Sequence, residues 1–174
     1  MTQPSIALIY PPTNAVTVMP SLGIGYLAGA VRQAGFGVHL YDLARRHLRL
    51  RDLYRELADR RPEYVGLSIT TPNYVNARRI AAMIRKLPYK PKVLLGGPHV
   101  SVYPEEAVSE FGGDYVVIRE AEESLPNLMR ALENGTDPAG VHGVHYGVNG
   151  HAVTPRRRKR RSTTSTRSPG PRGI

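Results

Sequence analysis

The sequence predicts a doubly wound α/β fold, a parallel β-sheet with helices packed on both faces, and three observations predict it. Short apolar runs alternate with segments of helical spacing five times between Ser5 and Gly135. Those runs are apolar throughout, as strands covered on both faces must be. Gly, Pro or Asn-Gly stands at most of the points where one period gives way to the other. At 174 residues the chain makes one ordinary domain, long enough to bury a core.

The elements follow in order. "SIALIY", Ser5 to Tyr10, is a buried strand stopped by Pro11 and Pro12. From Pro20 to Ala34, Leu22, Tyr26, Leu27, Ala30 and Val31 recur at helical spacing until Gly35 ends the run. "FGVHLYDL" is the second strand, and Leu48 to Arg60 the second helix, with Leu50, Leu53 and Leu57 on one face. "EYVGLSI" is the third strand, followed by a helix from Val75 to Leu87 that Pro88 closes. "KVLLGG" is the fourth strand, with a short helix from Pro104 to Phe111 after it. "DYVVI" is the fifth, and its helix, Glu122 to Glu133, ends at Asn134-Gly135. "VHGVHYGVNGHAVTP" then carries Asn149-Gly150 between two strand-like runs, a hairpin signal. Residues 1–140 are expected to form the sheet domain, 141–155 a hairpin leading toward a downstream domain, and 156–174 a disordered basic tail.

Composition narrows the function. With no cysteine, the chain makes no disulfide, thiolate zinc site or iron–sulfur ligation of its own. No run approaches a membrane span, and "MTQPSIALIY" enters a strand pattern without a leader, so a cytoplasmic home is expected. The net charge of +10 is concentrated at one end. Residues 155–174 hold eight Lys or Arg and no acid, which leaves 16 basic and 14 acidic side chains in the rest.

Ligands of an open parallel sheet bind beyond the C-terminal strand ends. Here the loops read "PPTNAVTVMPSLG", "TTPNY", "GGPHVSVYP" and "REAEES". None pairs a nucleophile with a base, and no metal site is expected. Small, hydroxyl-bearing and glycine-rich, they suit lying against a large ligand. "GIGYLA", Gly23 to Ala28, satisfies G-x-G-x-x-A, with Asp42 in the place of a ribose-binding acid. Its first glycine comes 13 residues after Tyr10, too late for a dinucleotide turn, so these glycines are expected to let the first helix approach the sheet. The acidic pair of a phosphorelay receiver is absent, and Pro11-Pro12 remove amide donors that a flavodoxin phosphate loop needs.

Two blocks, "GLSITTPNY" and "VLLGGPHVS", resemble the cobalamin-binding domain, and "PSLGIGYLAGAVRQAGFGVHLYDL" is similar to its opening in cobalamin-dependent radical S-adenosylmethionine enzymes. "PEEAVSEFGGDYVVIREAEESLPNLMRALENG" continues the likeness, which covers Ser5 to about Thr154. The resemblance implies a flavodoxin-like, Rossmann-like five-stranded sheet of order 2-1-3-4-5 that binds cobalamin. The corrin would lie over the C-terminal strand ends and its nucleotide tail would thread between the third and fourth strands. Ser68, Thr70 and Thr71 would offer hydroxyls to the tail, and Pro72, Asn73 and Tyr74 complete that loop, with Tyr74 able to stack on a base or to pack as an ordinary aromatic. Gly96 and Gly97 would let the tail pass, with Pro98 and His99 beside them. Pro12, Thr13, Leu22 and Gly23 would contribute from the first loop and helix.

Two departures matter. The histidine motif D-x-H-x-x-G that places a ligand under cobalt is missing from "YDLARRHL", so His99 is expected to touch the corrin or tail, with no protein ligand below the metal. Relatives show G-E-G-E after the fifth strand, whereas this chain has Arg119, Glu120, Ala121 and Glu122, which puts side chains where backbone would approach the corrin. His39 and Tyr64 read as structural, and Arg45, Arg46, Arg49 and Arg51 as the start of a solvated helix.

The resemblance also implies a fused radical barrel carrying the iron–sulfur cluster and S-adenosylmethionine, for which this chain has no cysteines. The tail "RRRKRRSTTSTRSPGPRG" has three readings: a nucleic-acid arm, a nuclear-localisation run, or a frameshifted linker. Codons for Arg161 to Ile174 exist that, shifted by two bases, spell V-D-D-L-D-S-L-P-G-P-A-R-D. That string is similar to the "DLDSLP.PARD" linker of the same enzymes. The rival to a cobalamin domain is a binding module of the same fold whose tail contacts nucleic acid.

Overall fold

The computed structural model describes residues 3–13, 21–45, 48–148 and 151–153. Strands β1 (Ser5–Tyr10), β2 (Gly37–Asp42), β3 (Tyr64–Ser68), β4 (Lys92–Gly96) and β5 (Tyr115–Val117) are parallel. The antiparallel strands β6 (Val144–Val148) and β7 (His151–Val153) follow, and all seven form one sheet in the order β2-β1-β3-β4-β5-β6-β7. The parallel part has the expected order 2-1-3-4-5. What the sequence pattern did not indicate is that the hairpin continues this sheet. Tyr115 pairs with Tyr146 and Val117 with Val144, which covers the edge β5 would otherwise expose. Gly143 makes the turn into β6 at φ +76°, where a Cβ would press on Ile118 O and Ser124 Oγ at 3.1 Å.

Strand registry builds two cores. Helices α1 (Leu22–Gln33) and α6 (Ala121–Glu133) cover one face, burying Ile24, Ala28, Val31, Leu125, Leu128 and Met129 against Ile6, Leu8 and Leu94. Helices α2 (Leu50–Arg60), α3 (Tyr74–Ile84), α4 (Pro98–Val102) and α5 (Pro104–Phe111) cover the other, where Leu53, Leu57, Ile80, Ile84 and Phe111 meet Ile9, Val65, Leu67 and Leu95. The adjacent residues Leu94 and Leu95 thus serve opposite cores, the period-two consequence of a strand buried on both sides.

Three local details differ from the sequence expectation. α3 ends at Ile84, because Pro88 disfavours helical geometry for Leu87 and the chain leaves by tight turns, Lys86 N–H to Met83 O and Leu87 N–H to Ile84 O. α4 is an additional helix, too short at five residues to show a helical period, and Pro104 holds Tyr103 out of it at φ −127°, ψ 60°. The glycines of α1 do not serve a close approach to the sheet: a Cβ at Gly23, Gly25 or Gly29 would meet nothing within 4 Å. Arg46, His47, the hairpin residues Asn149 and Gly150, and the basic tail lie outside the described residues.

Candidate functional site

Parallel strands bring four loops to one end of the sheet. After β3 the chain runs through Ile69 and Thr70 into a single 3-10 turn, Thr71–Asn73, and then into α3. Asn73 holds this loop. Its Oδ1 accepts from the Thr70 amide at 2.8 Å and its Nδ2 donates to Ser68 O at 3.2 Å. The residue is wholly buried (0% exposed), and both ends of its amide serve the loop itself. Ser68 and Thr70 remain half-buried, while Thr71 and Pro72 are exposed.

The loop after β4 crosses the one after β3. Ile69 N–H donates to Gly96 O at 2.7 Å, and His99 N–H donates to Ile69 O at 3.2 Å. At this crossing the two expected glycines separate. Gly97 lies at φ +106°, ψ 170°, a region essentially confined to glycine, and a Cβ there would stand 2.5 Å from Ile69 O. A Cβ on Gly96 would meet only Val117 O, at an ordinary 3.5 Å. The chain itself demands glycine at 97, whereas at 96 it leaves space that the protein does not fill.

His99 stands beside the β3 loop. Its Nδ1 lies 3.3 Å from Thr71 Oγ1, and its ring meets Tyr74 edge-on with centroids 5.0 Å apart and Tyr103 at 5.9 Å. Tyr74 in turn packs edge-on against Phe111 at 5.4 Å, so it is anchored to the core. His99 is therefore a positioned ring, half-buried at the rim of the strand ends.

Between α1 and α6 runs a narrow apolar cavity of about 60 Å³. Its floor includes Leu8, Gly66 and Leu94 in one ladder row and Ser68, Gly96 and Val117 in another, with Leu67, Leu95 and Gly97 also lining it. Ile24 and Leu27 of α1 and Ala121 and Leu125 of α6 form the roof. Sequence reasoning found Ser68, Gly96, Gly97 and Ala121 but missed the rest, which read as ordinary core. Gly66 inside an apolar strand was the available signal, although there the chain needs the space too, since a Cβ would lie 2.8 Å from Leu8 Cδ2.

The loop after β5 keeps a glycine conformation without glycine. Arg119 sits at φ +63°, with its amide 3.4 Å from Ser101 Oγ, and its side chain is exposed, as are Glu120 and Glu122. Ala121 opens α6 at the cavity. Of the first loop, Pro12 accepts through its carbonyl from Asn76 Nδ2 at 2.9 Å, and Pro12 and Thr13 are half-buried. Leu22 is 67% exposed and Gly23 is exposed beside it, across the sheet end from His99 and outside the cavity lining.

All the large hydrophobic side chains exposed among the described residues gather at this end: Leu22, Tyr26, Leu50, Val75, Val102 and Tyr103. Helix starts face the C-terminal strand ends in such a fold, and these residues stand at or within about a turn of helix starts. Among the described residues no three His, Asp or Glu converge as a metal site, and no helix is long and apolar enough to cross a membrane. An apolar rim, a positioned histidine and a slot running down between helices and sheet make a binding surface for a large, partly apolar ligand.

Residues 13–129 match the family model of the B12 binding domain. An uncharacterized methyltransferase of Pyrococcus horikoshii is 32% identical over 152 residues, covering 83% of this chain and 33% of the relative. The structure of the radical S-adenosylmethionine methyltransferase TsrM from Kitasatospora setae, with cobalamin and a 4Fe-4S cluster bound, superposes with a TM-score of 0.78 at 26% identity, over 88% of this chain and 31% of that one. The cobalamin-dependent S-adenosylmethionine radical enzyme OxsB shares the fold at 20% identity, with a TM-score of 0.74 over 87% of this chain and 22% of its own. The chain thus spans a third or less of each of these proteins.

Proposed function

Because the chain belongs to the B12 binding domain family, we propose that it holds cobalamin at the C-terminal strand ends, with the corrin on the apolar rim and the nucleotide tail in the slot between α1 and α6. The observation that carries this reading is Gly96: the protein leaves room for a side chain there, in a slot lined by the last residues of β3 and β4, Ser68 and Gly96. Leu27 and Leu125, which roof the slot, would have to change rotamer for the tail's base to enter. Ser68 supplies a hydroxyl to the tail and Thr70 and Thr71 serve its upper part, while His99, held by Thr71 and Tyr74, contacts the corrin fringe or the tail. Arg119, Glu120 and Glu122 stand at the corrin edge. Bound cobalamin supplies a cobalt centre that carries a methyl group or exchanges electrons. This chain's residues bind and orient it.

We further propose that the domain belongs to a cobalamin-dependent radical S-adenosylmethionine enzyme of methyltransferase or cyclase type, and that a fused barrel supplies the cluster, S-adenosylmethionine and substrate specificity. The relatives' lengths and the absence of cysteine from this chain support that division of labour. The frameshift reading of the tail belongs to the same proposal, and the gene tests it: a downstream frame should encode a cysteine-bearing barrel, and without one the idea fails.

The binding test is the visible spectrum of the purified protein after mixing with hydroxocobalamin and removing free ligand. A retained corrin band shifted toward the form without benzimidazole coordination supports the proposal, and a colourless protein overturns it. Deleting residues 156–174 separates the rival reading suggested by the eight basic residues there. Cobalamin binding should survive that deletion, whereas nucleic-acid binding through the tail would vanish.

A further inference from the structure

We infer that the slot selects its ligand by the base at the end of the tail, accepting a benzimidazole and disfavouring a purine. The inference rests on the cobalamin reading above and narrows it to a ligand subclass.

The argument is an inventory of hydrogen-bonding capacity around the slot. Its side chains are leucine, isoleucine, valine and alanine, with one exception: Ser68 carries the sole side-chain heteroatom among the described lining residues. Two carbonyls beneath already have donors. Ser68 O accepts from Asn73 Nδ2, Gly96 O accepts from Ile69 N–H, and β3 and β4 are laddered together from Tyr64–Lys92 to Ser68–Gly96. A flat ring sliding in therefore meets apolar side chains and one side-chain hydroxyl.

A benzimidazole detached from cobalt fits that inventory. It has one unsubstituted ring nitrogen, which accepts a hydrogen bond from the Ser68 hydroxyl, and its remaining edge is hydrocarbon. An adenine attached through its imidazole ring adds two ring nitrogens and an exocyclic amine. Each gives up water on entering the slot, and no further side chain there replaces it. An apolar site rejects added polar groups only moderately, so the expected discrimination is roughly ten- to a hundredfold.

The experiment is equilibrium binding of the purified chain to three corrinoids followed by absorbance: hydroxocobalamin, the corresponding cobamide with an adenine base, and cobinamide, which has no tail base. The expected order is hydroxocobalamin tightest, with the adenine form at least tenfold weaker. In Gly96→Val, whose added methyls enter the slot, hydroxocobalamin should fall to the affinity of cobinamide. Equal affinity for the two base-bearing forms overturns the selectivity and leaves the cobalamin reading standing. Cobinamide binding as tightly as hydroxocobalamin to the unaltered protein removes the tail from the slot and overturns the inference by that route. Failure to bind all three sinks the cobalamin reading itself, and the selectivity with it.

Discussion

Gly96 and Gly97 are neighbours, yet they answer to different demands. At Gly97 both the backbone angle and the 2.5 Å approach to Ile69 O exclude a side chain. Gly97→Ala is therefore expected to lower stability by about 3 kcal/mol or more, read as a shift in the urea midpoint. Gly96→Ala should change stability by less than about 1 kcal/mol, because its Cβ meets Val117 O at ordinary distance. It should nevertheless weaken cobalamin retention, since the methyl lies in the slot. If both variants unfold alike, Gly96 is structural and the glycine argument for the site falls. Arg119 presents the opposite case, a non-glycine residue at φ +63°. Arg119→Gly relieves a left-handed strain of roughly 1–2 kcal/mol and loosens the unfolded chain by about half that, so denaturation should show a gain of up to about 1 kcal/mol. A loss of stability would mean that the Arg119 side chain holds the loop.

At the scale of elements, the segment between β3 and α3 depends on one side chain. Asn73 ties the amide of Thr70 to the carbonyl of Ser68 and places both hydroxyls at the sheet end. Asn73→Ala leaves those two backbone groups without protein partners, and a cost of about 2–3 kcal/mol is expected from thermal or urea unfolding. Cobalamin affinity should fall in the same variant, because Ser68 loses its position. Unchanged affinity in a folded Asn73→Ala protein would show that the loop's hydroxyls do not matter to binding. The ion pair between α3 and α5, Arg78 to Glu110 at 3.8 Å, is largely exposed, and its removal should register below about 0.5 kcal/mol. The packing of Tyr74 on Phe111, and not that charge pair, holds these helices to the site.

For the whole molecule, the titrating groups that matter are two histidines. Burial pushes the His39 imidazole below its ordinary pKa of 6.5, and Arg60 lowers it further. Burial also lowers His145 from 6.5, with Glu105 acting against it. The unfolded chain then takes up protons before the folded one does. Stability is full above about pH 6.5 and declines as the pH falls through it. The urea midpoint should be flat between about pH 7 and 8 and lower at about pH 5.5. A double His39→Gln, His145→Gln variant should show a shallower decline, and an identical slope would assign the pH dependence to other groups. Because β6 pairs along β5, the hairpin belongs to the same cooperative unit. Its unfolding should coincide with that of the sheet.

Much of this molecule was legible along the chain. Apolar runs between helical segments point to a parallel sheet covered on both faces, so the fold class and the sheet end where ligands of such folds bind follow from patterning, whereas the order 2-1-3-4-5 came from the family resemblance. Ser68, Gly96 and His99 stood out as candidates because small, bare or polar residues at strand ends contrast with apolar runs. The roof of the slot was not, since Ile24, Leu27 and Leu125 carry the same spacing as any core helix, and only the packing of α1 against α6 leaves a space beneath them. The sequence alone also treated the two adjacent glycines alike and did not show that Asn73 holds its own loop together. Those distinctions depend on which backbone crosses which, Ile69 over Gly97 and Asn73 inside its own loop, and distances between segments far apart in the chain exist only once it has folded.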